Sequence, residues 1–192
     1  MKILALLLTL LSCAAYPRSP ERSHIIFNAE VDGDSVEAFV KELKEADSGD
    51  SPIVVEINTP GGSVFAGFQM SRAIEQSKNQ VVCVVDGMAA SMGLYILQSC
   101  DVRIMTARSL LMGHQPGAGA QGQQDELKKM GVILEKLNLV MAAHITSRMS
   151  IGIDEYLSLV AHGAELWLTP TEALAIGAID SKVSSVRDVL AK

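Results

Sequence analysis

Three short stretches carry residue types suited to acyl transfer. In VVDGMAASMG, Ser91 sits among Ala89, Ala90, Met92 and Gly93, directly after the apolar run QVVCVV. Ligands bind at the carboxyl ends of parallel strands, and a serine on the turn into the next helix can act there as a nucleophile. Helix N-termini present free N–H groups, so the amide of Met92 would stabilise an oxyanion. The position equally suits a helix N-cap, and Ala89 departs from the G-x-S-x-G hydrolase elbow. In EINTPGGSV, a strand ends at Asn58 and Pro60-Gly61-Gly62 turns the chain. Paired glycines allow conformations that expose an N–H, which would complete an oxyanion hole with Met92, although any strand-to-helix turn can use them. In LLMGHQPG, His114 follows an apolar strand and precedes a Pro/Gly loop, which suits a general base titrating near neutrality and also a plain loop histidine.

These groups need a scaffold, and the pattern supplies one. From His24 onward strand and helix signals alternate: HIIF, then SVEAFVKELKEA with Val36, Phe39, Val40 and Leu43 at helical spacing, then IVVEI, a helix through SVFAGFQMSRAIEQS, QVVCVV, a helix through SMGLYILQSC, and the strand-like VRIMT and SLLMG. That order predicts an α/β fold with a largely parallel core sheet. The proline-free stretch from Gln121 to about Met149 reads as one long helix of about 43 Å, as long as a domain of this size is wide, about 40 Å. Apolar residues surround it, among them Leu127, Val132, Ile133, Leu137, Leu139 and Val140. One core-facing stripe cannot use them all, so a second buried face against another subunit is expected; the alternative is a helix broken near Gly131 and packed within one chain.

Composition narrows the function classes. The chain has 192 residues, 48% of them apolar, and a net charge of −6, which fits one globular domain and argues against a nucleic-acid binder. Residues 1–15 read as a secretory or lipoprotein signal, with Cys13 as the lipidation candidate, and 16–23 as a linker to a domain over 24–192. This predicts an exported, periplasmic or lipid-anchored protein, with cytoplasmic as the alternative. A lipid anchor would be its one link to a membrane. Cys83 and Cys100 read as buried small hydrophobes, without disulfide framework or metal spacing. His24 opens a strand, His144 lies in the long helix and His162 in a loop.

Taken together, INTPGG, GMAASMG and MGHQP, in this order and spacing, resemble the proteolytic subunit of the Clp protease, the ClpP family. The resemblance continues through GAGAQGQ and LTPTEALAIGAIDS and covers roughly Ile25 to Val183. It implies a ClpP/crotonase-like spiral of βαβ units with a long protruding handle helix that packs ring against ring. It further implies a serine endopeptidase needing no cofactor or metal, with Ser91 as nucleophile, His114 as general base, and the N–H groups of Gly62 and Met92 as oxyanion hole. Gly61, Gly62, Gln115 and Pro116 would hold an extended peptide or unfolded substrate by main-chain bonds. The implied third triad member is Glu165, where the family usually carries Asp; Asp154 is the alternative, although it opens a helix.

The implied partners are further copies of the chain in a ring, with stacked rings as an option. The family's axial loop, which contacts a ring-shaped ATPase, is replaced here by the signal-like segment, so a Clp-type ATPase partner is left open. Three readings compete. A Ser–Lys protease like signal-peptide peptidases would use Lys128 or Lys129. A crotonase-like acyl-CoA enzyme would need no serine. An inactive ClpP-like ring would act as a scaffold.

Overall fold

The computed structural model describes residues 22–119 and 121–191. Cys13, the signal-like segment and most of the linker lie outside the described residues. The elements in order are β1 (Ser23–Asn28), α1 (Gly33–Ala46), β2 (Ile53–Thr59), α2 (Val64–Glu75), β3 (Val81–Ala90), α3 (Met92–Leu97), β4 (Val102–Thr106), β5 (Leu110–Gly113), α4 (Gln124–Thr146), α5 (Ile153–Leu159), β6 (Leu166–Leu168), α6 (Pro170–Ala175), β7 (Ser181–Val183) and α7 (Arg187–Leu190).

Parallel strands run in the order β1-β2-β3-β4-β7, while β5 pairs with the far end of β3 and β6 pairs antiparallel with β5. The runs IVVEI and QVVCVV are buried on both faces, as strands covered by crossover helices must be. Helix α1 is capped by Asp32, whose carboxylate accepts from the Ser35 N–H at 2.8 Å, and it turns Val36, Phe39 and Leu43 into the core.

Strand β3 positions the site because it changes partners midway. Val82–Val85 pair with β4 and Met88–Ala90 pair with β5. The bend falls at Gly87, whose φ is +110° and where a Cβ would meet Asn58 Oδ1 at 2.5 Å. The register to β2 shifts at the same level, and Asn58 Oδ1 accepts the freed Met88 N–H at 3.1 Å. The sheet thus splits at β3, and the chain leaves it at Ser91.

Helix α4 is shorter than the sequence pattern predicts. Its 23 residues, about 35 Å at 1.5 Å each, start at a capping box between Gln123 and Glu126 and stop at Thr146. It runs unbroken through the exposed Gly131. Its buried residues, Met141, Ala142, Ile145 and Thr146, all lie in the last two turns. Leu139 and Val140 are each 55% exposed, and Leu127, Val132 and Ile133 also face solvent.

The reading of Cys83 and Cys100 as separate buried thiols is corrected by the structure: they form a disulfide, with Cα atoms 5.9 Å apart. The physical reason is tertiary. The segment between them is a strand, a turn and a helix that folds back on the strand. The Val81 N–H donates to Asp101 Oδ2 at 2.7 Å and the Asp101 N–H to Val81 O at 3.0 Å, which brings the end of α3 level with the start of β3. Sequence spacing carries no trace of this return.

Candidate active site

Ser91 joins β3 to α3 with φ 54° and ψ −115°, a strained conformation for a residue with a side chain. Its N–H donates to Met112 O at 2.8 Å, so β5 holds the turn. Although Ser91 occupies the N-cap position, its hydroxyl caps nothing. It lies 2.8 Å from His114 Nε2, the hydrogen bond that joins the first and third motifs. His114 is placed by β5, which ends one residue earlier at Gly113. Gly113 in turn lies against Tyr156, whose hydroxyl would be 2.7 Å from a Cβ there.

The second motif lies alongside. A Cβ on Gly61, whose φ is +95°, would meet Ala90 O and Ser91 Cβ at 2.6 Å and Met92 N at 3.0 Å. Only a residue without a side chain lets this backbone approach the Ser91 turn. On its other edge the segment pairs with the chain after β1: the Val31 N–H donates to Gly61 O and the Ser63 N–H to Val31 O, both at 2.7 Å. That parallel bridge at Gly62 leaves the Gly62 N–H on the opposite edge, beside the Ser91 turn. Met92 is the first residue of α3, where an N–H has no partner within the helix. Its side chain is buried against Gly67 of α2, so its backbone alone faces the serine. Gln115 and Pro116 follow His114 as half-buried irregular chain.

Glu165 stands immediately before β6. The β5–β6 ladder pairs Leu111 with Leu168, Met112 with Trp167 and Gly113 with Leu166, and Glu165 and His114 are the residues just beyond its last pair. The Glu165 carboxylate, however, accepts the Trp167 indole N–H at 2.9 Å. Among the described residues His114 has no carboxylate within ion-pair distance. Asp154 lies in the first turn of α5, which Gly152 caps, so it is not the cap there. Lys128 and Lys129 lie on the exposed part of α4, with Lys128 Nζ 3.8 Å from Asp125. Among the described residues the one side chain that hydrogen-bonds Ser91 Oγ is His114.

A hydroxyl bonded to imidazole, beside two outward N–H groups, has the parts needed to form and break an acyl-enzyme. The family model of the Clp protease matches residues 12–186. The chain belongs to the Clp protease family. It is 32% identical over 169 residues to the ATP-dependent Clp protease proteolytic subunit 3 of Rhodococcus jostii, covering 86% of this chain and 83% of that one. It is 31% identical to proteolytic subunit 2 of Synechococcus sp., covering 84% of each. A solved structure of a ClpP1 point mutant from Listeria monocytogenes superposes with a TM-score of 0.78 at 22% identity, over 87% of this chain and 94% of that one, and shows the same fold. This Clp protease family member is a serine-type endopeptidase.

Sequence reasoning missed Trp167 and the disulfide. The alternation Glu165-Leu166-Trp167 was the available signal for the first: residues two apart on a strand share a face. The available signal for the second was the pair of cysteines in a domain expected to be exported.

Proposed function

We propose that Ser91 is the nucleophile of a Ser–His endopeptidase and His114 its general base. The observation that carries this reading is the 2.8 Å contact between Ser91 Oγ and His114 Nε2 on a strained turn. Ser91 Oγ attacks the scissile carbonyl carbon as its proton passes to His114 Nε2, and the N–H groups of Gly62 and Met92 receive the oxyanion. His114 then gives the proton to the leaving amine, and water hydrolyses the acyl-enzyme by the same relay in reverse. Glu165, just beyond the end of the ladder that carries His114, orients the imidazole. An extended substrate lies between the free edge of Gly61–Gly62 and the chain at Gln115–Pro116, held by main-chain bonds that read little sequence.

The assembly is a ring of identical subunits joined partly through α4. Its solvent-facing Val132, Ile133, Leu139 and Val140 support this, since they fall on one side of the helix and an exposed apolar face is an interface feature. The protein acts outside the cytoplasm. The buried Cys83–Cys100 disulfide supports that location, because such bonds persist in oxidising compartments. Cys13 is the site of a lipid anchor or lies within a cleaved signal. Fluorophosphonate labelling of the full chain tests the nucleophile: labelling should occur and should vanish in Ser91→Ala and His114→Ala. A folded, oligomeric wild type that stays unlabelled would favour the scaffold reading, for which the turn of Glu165 away from His114 is the supporting observation.

A further inference from the structure

Glu165 holds one donor, the Trp167 indole, and stands at the end of the ladder that carries His114. The β5–β6 ladder ends at Gly113–Leu166, so Glu165 and His114 each stand one residue beyond its last pair, at the same end of it. Along its own strand Glu165 shares a face with Trp167, whose indole N–H it accepts at 2.9 Å. Glu165 and Trp167 are both solvent-accessible, Trp167 at 46%, so core packing does not lock the carboxylate in place.

We propose that Trp167 is a latch on the group that orients His114. The inference rests on the assignment of Glu165 as that group. While His114 is neutral, the indole N–H holds the larger share of the carboxylate, as the 2.9 Å contact shows. When His114 takes the Ser91 proton, an imidazolium competes with a neutral indole, and a hydrogen bond between two ionised partners is the stronger. Glu165 then leaves Trp167 for His114. Trp167 is a positioning residue acting through Glu165: it lowers the fraction of enzyme with an oriented imidazole, and activity scales with that fraction.

The test is a kinetic cycle on the full chain with a small peptide amide, comparing wild type, Trp167→Phe, Glu165→Ala and the double variant. Phe keeps the ring and removes the N–H. Trp167→Phe should raise kcat about three- to tenfold, the scale of releasing one hydrogen bond, with KM changed less than about twofold. The gain should disappear in the Glu165→Ala background, where no carboxylate remains to be released. If Glu165→Ala lowers kcat but Trp167→Phe leaves it unchanged or lowers it, the latch is wrong and the orienting role of Glu165 stands. If Glu165→Ala costs nothing, that assignment fails and the latch falls with it.

A second readout needs no substitution at position 167. Trp167 is the single tryptophan of the chain, so intrinsic fluorescence reports its contact with Glu165. Saturation with a peptide boronate, which forms a tetrahedral adduct on a reactive serine, should change the emission of the wild type but not of Glu165→Ala. Unchanged emission in a saturated wild type overturns the latch.

Discussion

Helix α3 has a Ser–His pair at each end, and the two differ in everything except their residue types. At its start, Ser91 Oγ lies 2.8 Å from His114 Nε2. Just past its end, Ser99 Oγ lies 3.1 Å from His144 Nε2, with Glu75 Oε1 3.9 Å from the other ring nitrogen. On residue types alone the second set is the more complete triad. Its chemistry is closed by the third contact of His144: Nε2 also faces Tyr95 O at 3.2 Å. A carbonyl can only accept, so an Nε2 that donates to it carries the ring hydrogen and cannot then take a proton from Ser99. His144 also stacks on Tyr95 with ring centroids 4.2 Å apart, and Ser99 shares a hydrogen bond with Ser71. The Ser99 end is further clamped by the disulfide at Cys100. The Ser91 end has unpaired N–H groups beside it and the Ser99 end has carbonyls. Those surroundings suit the first set to the proposed catalysis and the second to a structural role.

The sharpest way to break this comparison is to delete each hydroxyl. Ser91→Ala and His114→Ala should lower kcat by about 10⁴-fold or more, whereas Ser99→Ala should leave peptide hydrolysis within about twofold, since Ser99 has no oxyanion donors. Next in size is the clamp. Replacing Cys83 and Cys100 by Ala should lower unfolding stability by about 2–5 kcal/mol in a denaturant titration, with Ser91 still labelled by fluorophosphonate at low denaturant.

His144→Ala should cost about 1–3 kcal/mol through lost packing and unpaired neighbours, with little change in kcat. The pH dependence belongs to the same residue. Burial lowers the His144 pKa from 6.5, and the nearby Glu75 and the Tyr95 carbonyl oppose this only in part. A depressed histidine contributes its full stability above about 6.5 and loses it as pH falls toward the folded-state value, because the unfolded chain then binds the proton first. Thermal melts of the wild type should therefore drop below about pH 6.5 more steeply than those of His144→Ala.

The smallest effect is expected at Tyr156, whose buried hydroxyl has no hydrogen-bond partner among the described residues and whose pKa burial raises to about 12. Tyr156→Phe removes an unsatisfied polar group beside the His114 strand. It should leave stability unchanged or raise it by up to about 1 kcal/mol, with labelling of Ser91 intact.

Local sequence determined much of this protein. Near-continuous apolar runs such as IVVEI and QVVCVV, and the helical spacing of Val36, Phe39 and Leu43, specify buried parallel strands and an amphipathic helix. Neighbouring residues alone set those periods. The order of INTPGG, GMAASMG and MGHQP likewise made Ser91, His114 and the glycine turn legible as one site. The extent of α4 was legible only in part, because its ends depend on the Gln123–Glu126 cap and on where packing begins at Met141. Tertiary structure alone decided the rest. It brought Cys83 to Cys100, set His144 against the Tyr95 carbonyl, and placed Glu165 on the Trp167 indole instead of on His114. Each of these depends on which segments return to lie against one another, and a return path leaves no period in the sequence.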